Sequence, residues 1–124
     1  MKYALTSKKE SGRFPDDNEF STALSEKQVY LMRGRYKNYL FERFENFGTD
    51  EGKDVYSRIE SGKYTIEHIM PRTITPAWRD ALGDESTQIH ATWLHRLANL
   101  TLTAYNSSYS NNPFKDKRDA ENGF

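Results

Sequence analysis

Two short apolar segments each set a polar residue where chemistry is possible: Ile66-Glu67-His68-Ile69-Met70-Pro71 and Asn99-Leu100-Thr101-Leu102-Thr103. A stretch rich in asparagine follows the second, with Asn106, Asn111 and Asn112. A histidine, a carboxylate and spaced asparagine amides are the groups that one-metal hydrolysis of a phosphodiester requires. A base must take a proton from water near neutral pH, and histidine does so with little tuning. A cation must neutralise charge on the phosphate and on the leaving oxygen. Hard oxygen ligands must hold that cation and leave positions open for water and substrate. His68, Glu67 and an asparagine carbonyl together meet these needs.

Plainer readings compete with this one. His68 lies among Ile66, Ile69 and Met70, where a histidine can simply be hydrogen-bonded in a core. His90 and His95 share a predicted helix at a spacing that sets them roughly 140° apart around its axis, so they cannot chelate one metal as neighbouring turns do. Both are read as structural or surface residues. Glu67-His68 is not the zinc signature with two histidines on one helix. The chain also lacks a serine nucleophile elbow, a phosphate-binding Gly-Lys-Ser/Thr loop and a dinucleotide glycine pattern. Neighbouring residues of a regular strand point to opposite faces. Glu67 and His68 therefore serve one site only if the backbone departs from regularity near Pro71.

The elements that must position these residues are mainly helical. Asp17 or Asn18 is placed to cap a helix over Glu19 to Leu24. The longest helical signal runs from Lys27 to Phe47, with Val29, Met32, Tyr36, Leu40, Phe44 and Phe47 as a core-facing stripe. Five basic residues against Glu42 and Glu45 make this element mildly basic. Gly34 weakens its centre and marks a bend. A short helix is expected over Lys53–Glu60 and a strand over Lys63–Met70, ended by Pro71. Thr75-Pro76 has the chemistry of a helix start and Gly83 that of a stop. A further helix is expected over Ser86–Leu97, with Ile89, Trp93 and Leu97 inward. Asn99 to Thr103 alternates as a half-buried strand does. Asn112-Pro113 then opens a last helix.

The chain has 124 residues, enough for one compact domain. Only 35% are hydrophobic, but seven Phe, eight Tyr and two Trp supply large buried areas and argue against disorder. The absence of cysteine excludes disulfides, thiol nucleophiles and cysteine zinc sites, and fits a cytoplasmic location. No apolar run is long enough to span a bilayer, so no membrane partner is expected. Eighteen basic and eighteen acidic side chains balance. That counts against autonomous tight binding to DNA, though not against a module delivered to DNA by another domain. The ends read as cut: the first residues show no periodicity, and Phe124 closes the chain directly after a helix.

The ordered set Ile66 to Pro71, a Trp-containing helix, Leu97 to Thr103 and Tyr105 to Lys117 resembles the HNH (His-Me finger) nuclease module. More narrowly, it resembles the C-terminal nuclease domain of GmrSD-type modification-dependent restriction endonucleases. The likeness covers about Phe14 to the end and is densest between Tyr64 and Lys117. It implies an α+β fold with a ββα-metal core: residues 1–62 as a helical N-terminal part, 63–112 as the hairpin core with a helical insertion over 75–97, and 113–124 as a truncated C-terminal helix. It implies His68 as general base and Asn99 as the asparagine that pins the loop holding it. Glu67 and Asn106 are then metal ligands, with Asn111 the alternative to Asn106. Arg72, Lys115 and Lys117 become phosphate contacts. Asparagine in place of the final histidine favours one Mg²⁺ or Mn²⁺ over Zn²⁺. Ala98 departs from the glycine usual before the pinning asparagine.

The implied function is a metal-dependent endonuclease module acting on DNA, base-modified DNA included, in phage defence. Its implied partner is an N-terminal nucleotide-using, ParB-like domain of the same protein. Two other readings stand beside it. One is an inactive HNH-fold module used for DNA binding or protein interaction. The other is a plain helical interaction domain without a hairpin joining residues near 66 and 101.

Overall fold

The computed structural model describes residues 13–104, 109–121 and 123. Among them are six α-helices and one two-stranded antiparallel sheet, an α+β architecture weighted to helix. Helix α1 (Asp17–Glu26) starts with a reciprocal cap. Asp16 accepts the Glu19 N–H at 2.8 Å, and the Glu19 carboxylate accepts the Asp16 N–H. The cap thus precedes both Asp17 and Asn18.

The continuous helix expected over Lys27–Phe47 is broken in two. Val29–Leu31 form a 3-10 turn, Met32 is extended, and α2 runs over Gly34–Glu45. Gly34 opens this helix rather than bending it, and at its first position the cost of an interior glycine is avoided. The break shifts the helical phase, so only part of the expected stripe turns inward: Met32 and Leu40 pack against the core beside Val29. Val29 is enclosed, but Tyr36, Phe44 and Phe47 are 49%, 48% and 88% exposed. The inward face of α2 carries Asn38 and Phe41 instead. Helix α3 (Val55–Glu60) begins at Asp54, whose side chain accepts the Ser57 N–H, and it is tied to α2 by Glu42, which accepts the Tyr56 N–H at 2.7 Å. Val29, Phe41 and Leu100 form the centre of the core, with Leu24, Met32, Leu40, Ile59, Ile66 and Leu97 packed around them.

Strand β1 (Thr65–His68) pairs with β2 (Leu100–Thr103) from Thr65↔Thr103 through His68↔Leu100. This pairing rules out the plain helical domain. The insertion between the strands begins as expected: Thr75 accepts the Trp78 N–H, α4 covers Pro76–Leu82, and Gly83 at φ 78° ends it. Glycine tolerates that positive φ without penalty. Helix α5 (Ser86–Trp93) stops short of Leu97, because a separate 3-10 turn over Leu97–Asn99 feeds β2. Trp93 is 42% exposed, so the stripe expected on α5 is only partly inward. Helix α6 (Phe114–Asp119) has Pro113 at its N-cap position, one residue after Asn112.

Asn99 joins the insertion to the end of β1. Its Oδ1 accepts the Met70 N–H at 2.7 Å, while its Nδ2 donates to the carbonyls of Met70 at 2.9 Å and Leu94 at 3.0 Å. Its own carbonyl accepts the Ile69 N–H at 2.9 Å. Alanine at 99 removes all three side-chain bonds and strands buried backbone groups. We expect Asn99→Ala to cost roughly 2–4 kcal/mol in urea unfolding. A loss below about 0.5 kcal/mol, the level of an ordinary surface change, would contradict this clamp.

Candidate active site

Ladder pairing of β1 stays regular through His68, and the chain leaves the ladder at Ile69 and Met70, where Asn99 takes over its hydrogen bonding. Glu67 and His68 are both buried at 6% exposure, yet both border one cavity of about 230 Å³. Tyr30, Pro71, Arg72, Ser110 and Asn111 also line it. Alternating side chains thus reach a single space at the strand end.

Lys117 explains how the buried carboxylate is held. Its ammonium is fully enclosed, lies 2.8 Å from Glu67 Oε1, and donates to the carbonyls of His68 at 3.0 Å and Ile69 at 3.2 Å. Three N–H donors meet three acceptors, so no donor is left for a ligand. The expected phosphate contact at Lys117 is therefore corrected to a buried latch between α6 and the end of β1. Lys115 is exposed on α6 and is not in the cavity wall. Arg72 is exposed and does border the cavity.

The surroundings of His68 were only partly legible. Its Nε2 lies 3.2 Å from Nδ1 of His95, so one nitrogen carries the proton that the other accepts. Tyr30 packs against both rings, with centroids 4.4 Å from His68 and 5.4 Å from His95. The Tyr30 N–H donates to the His95 carbonyl at 3.1 Å, which fixes the two elements together. Sequence reasoning set His95 aside because it compared it only with His90. Its position four residues before Asn99 was the available signal: whatever clamps Asn99 to Met70 also brings His95 toward β1. His90 is structural, since its Nε2 donates to the Pro71 carbonyl at 2.9 Å.

His68 is held neutral. Burial lowers its pKa from 6.5 to about 4, and the positive charge of His95, Arg72, Lys117 and Lys37 adds to the effect. The pKa of His95 is also lowered, by burial first and then by Arg72 and His90.

The donor set discriminates between metals. Among the described residues no three His, Cys, Asp or Glu side chains gather where they could hold one metal ion. A hard cation held by few protein oxygens and otherwise by water and phosphate does fit. Glu67 Oε1 is taken by Lys117, which leaves Oε2, and Asn111 borders the same cavity. Ser110, beside Asn111, is the sole non-glycine residue with positive φ among the described residues, at 41°. Backbone in that region is uncommon and concentrates at functional sites. Asn106 lies outside the described residues. The carbonyl of Asn112 accepts the Trp78 indole N–H at 2.9 Å, tying this segment to α4.

A family model described as GmrSD restriction endonucleases, C-terminal domain, matches residues 14–123. No curated protein matches the chain, and no solved structure matches it. No helix among the described residues is long and apolar enough to cross a membrane.

Two measurements check this site. In a histidine titration followed by NMR, His68 has its midpoint near 4, and a midpoint near 6.5 contradicts the burial described. The sign for stability follows: between pH 6.5 and 4 the unfolded chain takes a proton that folded His68 refuses, so this contribution is intact above 6.5 and is lost on acidification. Lys117→Met leaves a buried carboxylate unpaired and is expected to cost about 3–5 kcal/mol, with Glu67→Gln added in the same chain recovering much of it. A single-variant cost below about 1 kcal/mol contradicts the latch.

Proposed function

The chain belongs to the family of GmrSD restriction endonuclease C-terminal domains, and we propose that it is the phosphodiester-hydrolysing module, with an HNH (ββα-metal) site, of a modification-dependent restriction protein. Its substrate is DNA. The single observation that carries this reading is the convergence of Glu67, His68, Arg72 and Asn111 on one cavity at the end of the β1–β2 pair.

His68 acts as general base. Being neutral, it has a lone pair to receive a proton from the attacking water. In the tautomer whose Nε2–H donates to His95, that lone pair is on Nδ1. Glu67 Oε2, together with Asn111 or Asn106, would hold one Mg²⁺ or Mn²⁺. Such a cation, when bound, neutralises charge on the phosphate and on the leaving oxygen. Lys117 holds Glu67 in one orientation, and Asn99 holds the backbone that follows His68. Arg72 supplies a positive charge at the cavity wall for a phosphate oxygen. On this reading the module operates in the cytoplasm, behind an N-terminal nucleotide-using, ParB-like domain of the same protein, and recognition of base-modified DNA requires the whole protein. Membership of a family defined as a C-terminal domain supports that arrangement.

A second reading, an inactive HNH-fold module for DNA binding or protein interaction, draws on two contacts. His68 already touches His95, and Glu67 already touches Lys117. Nicking of modified DNA by the full-length protein in Mg²⁺ or Mn²⁺ separates the two. His68→Ala is expected to lower the rate by about 10²-fold or more. Undiminished cleavage in that variant would sink the assignment of the base, and no cleavage by the parent protein under any such condition favours the second reading.

A further inference from the structure

We propose that Lys37 and Arg72, gathered at the ring of Tyr30, form a subsite for the anionic oxygens of a DNA phosphodiester, so that the N-terminal helical part supplies one wall of the active site. This rests on the nuclease reading above and adds residues outside the hairpin to it.

Tyr30 is the anchor. It borders the cavity, packs on His68 and His95, and is fixed by its N–H to the His95 carbonyl. The Lys37 ammonium lies 4.6 Å from the Tyr30 ring centroid and donates to the Tyr30 carbonyl at 3.0 Å. The Arg72 guanidinium lies 5.8 Å from the same centroid. Attraction to the negative face of the ring explains why both cations settle there. Neither is neutralised: the ion pairs among the described residues are Arg13–Glu19, Lys117–Glu67 and Arg118–Asp119. Lys37 commits one of its three donors to Tyr30, leaving two.

The local balance is therefore positive although the whole chain is neutral. Among the described residues Glu67 is the sole carboxylate in the cavity wall, and Lys117 offsets it. His68 experiences the positive fields of Arg72, Lys117 and Lys37. An anion at this wall relieves that imbalance. A planar guanidinium suits two oxygens of one phosphate, and an ammonium suits a third oxygen or the next phosphate as a point charge. Sites of this kind weaken with salt, because counterions released on binding must be restored.

The test is DNA cleavage by the full-length protein across a salt series, with Arg72→Gln, Lys37→Met and the double variant. Each single change is expected to raise KM about tenfold with kcat within about threefold. Each also lowers the slope of log KM against log salt by about 0.9. Lys37→Arg keeps the charge and should restore KM. Because Arg72 is exposed, its variant reads the subsite even where Lys37→Met disturbs Tyr30. An unchanged KM and slope in Arg72→Gln and in Lys37→Met, with His68→Ala still slowed about 10²-fold or more, overturns the subsite and leaves the assignment of His68 as base standing. Full cleavage in His68→Ala instead removes the nuclease reading itself. Competition by inorganic phosphate alone, with no dependence on DNA length, would assign the wall to free phosphate and overturn the proposal.

Discussion

A lysine ammonium with no exposed surface must find partners inside the protein, and Lys117 finds all of them on three consecutive residues of β1 and its exit. Burying that charge alone costs many kcal/mol, and pairing it with Glu67 recovers the cost only if the geometry is tight. The pair is thus better understood as a register device than as a source of stability. It fixes where α6 meets the strand end, which carboxylate oxygen remains free, and which carbonyls of the 67–69 segment are engaged. The Asn111 side of the cavity is brought to Glu67 and His68 by the same contact, because α6 directly follows that segment in the chain.

Asn99 opposes the latch from the insertion side. Lys117 holds the carbonyls of His68 and Ile69, and Asn99 holds the N–H and carbonyl of Met70. The chain from His68 to Met70 is therefore fixed from both flanks at the point where it leaves the ladder. A buried polar network that is satisfied in every member is rigid, and rigidity is what a base needs to hold its orientation. The described residues contain no buried side-chain polar atom without a partner. Tyr30 and His95 then extend the network to the 3-10 turn at Val29–Leu31, so the N-terminal helices do more than fill the core.

Local sequence signals were legible wherever the structure is decided locally. Thr75-Pro76 and Gly83 mark helix ends because their chemistry acts within one turn. The strand segments and the placement of Asn99 beside the turn after His68 were legible for a related reason, since alternation and a compact motif specify them. What failed was set by distant contacts. The stripe from Val29 to Phe47 had good helical spacing, but the backbone extends at Met32 and Arg33, and three of its aromatics face outward. Lys117 looked like a surface charge because nothing within its own helix reveals a carboxylate fifty residues away. His95 was missed because its partner is across the insertion. A neutral net charge likewise concealed a positive wall, since composition averages over the surface that geometry concentrates.

We propose that a strand-end carboxylate and a neutral histidine, held in place by Lys117 and Asn99, make one phosphodiester-cleaving site. Its most direct test is a crystal structure of the protein grown with Mn²⁺, using anomalous scattering to locate the ion. We expect one Mn²⁺ in the cavity bordered by Glu67 and Asn111, bonded through Glu67 Oε2, with Lys117 still on Oε1 and the His68 ring outside the coordination sphere. Mn²⁺ ligated by His68, or a cavity without Mn²⁺ at millimolar concentration while Glu67 keeps its contact to Lys117, would contradict it.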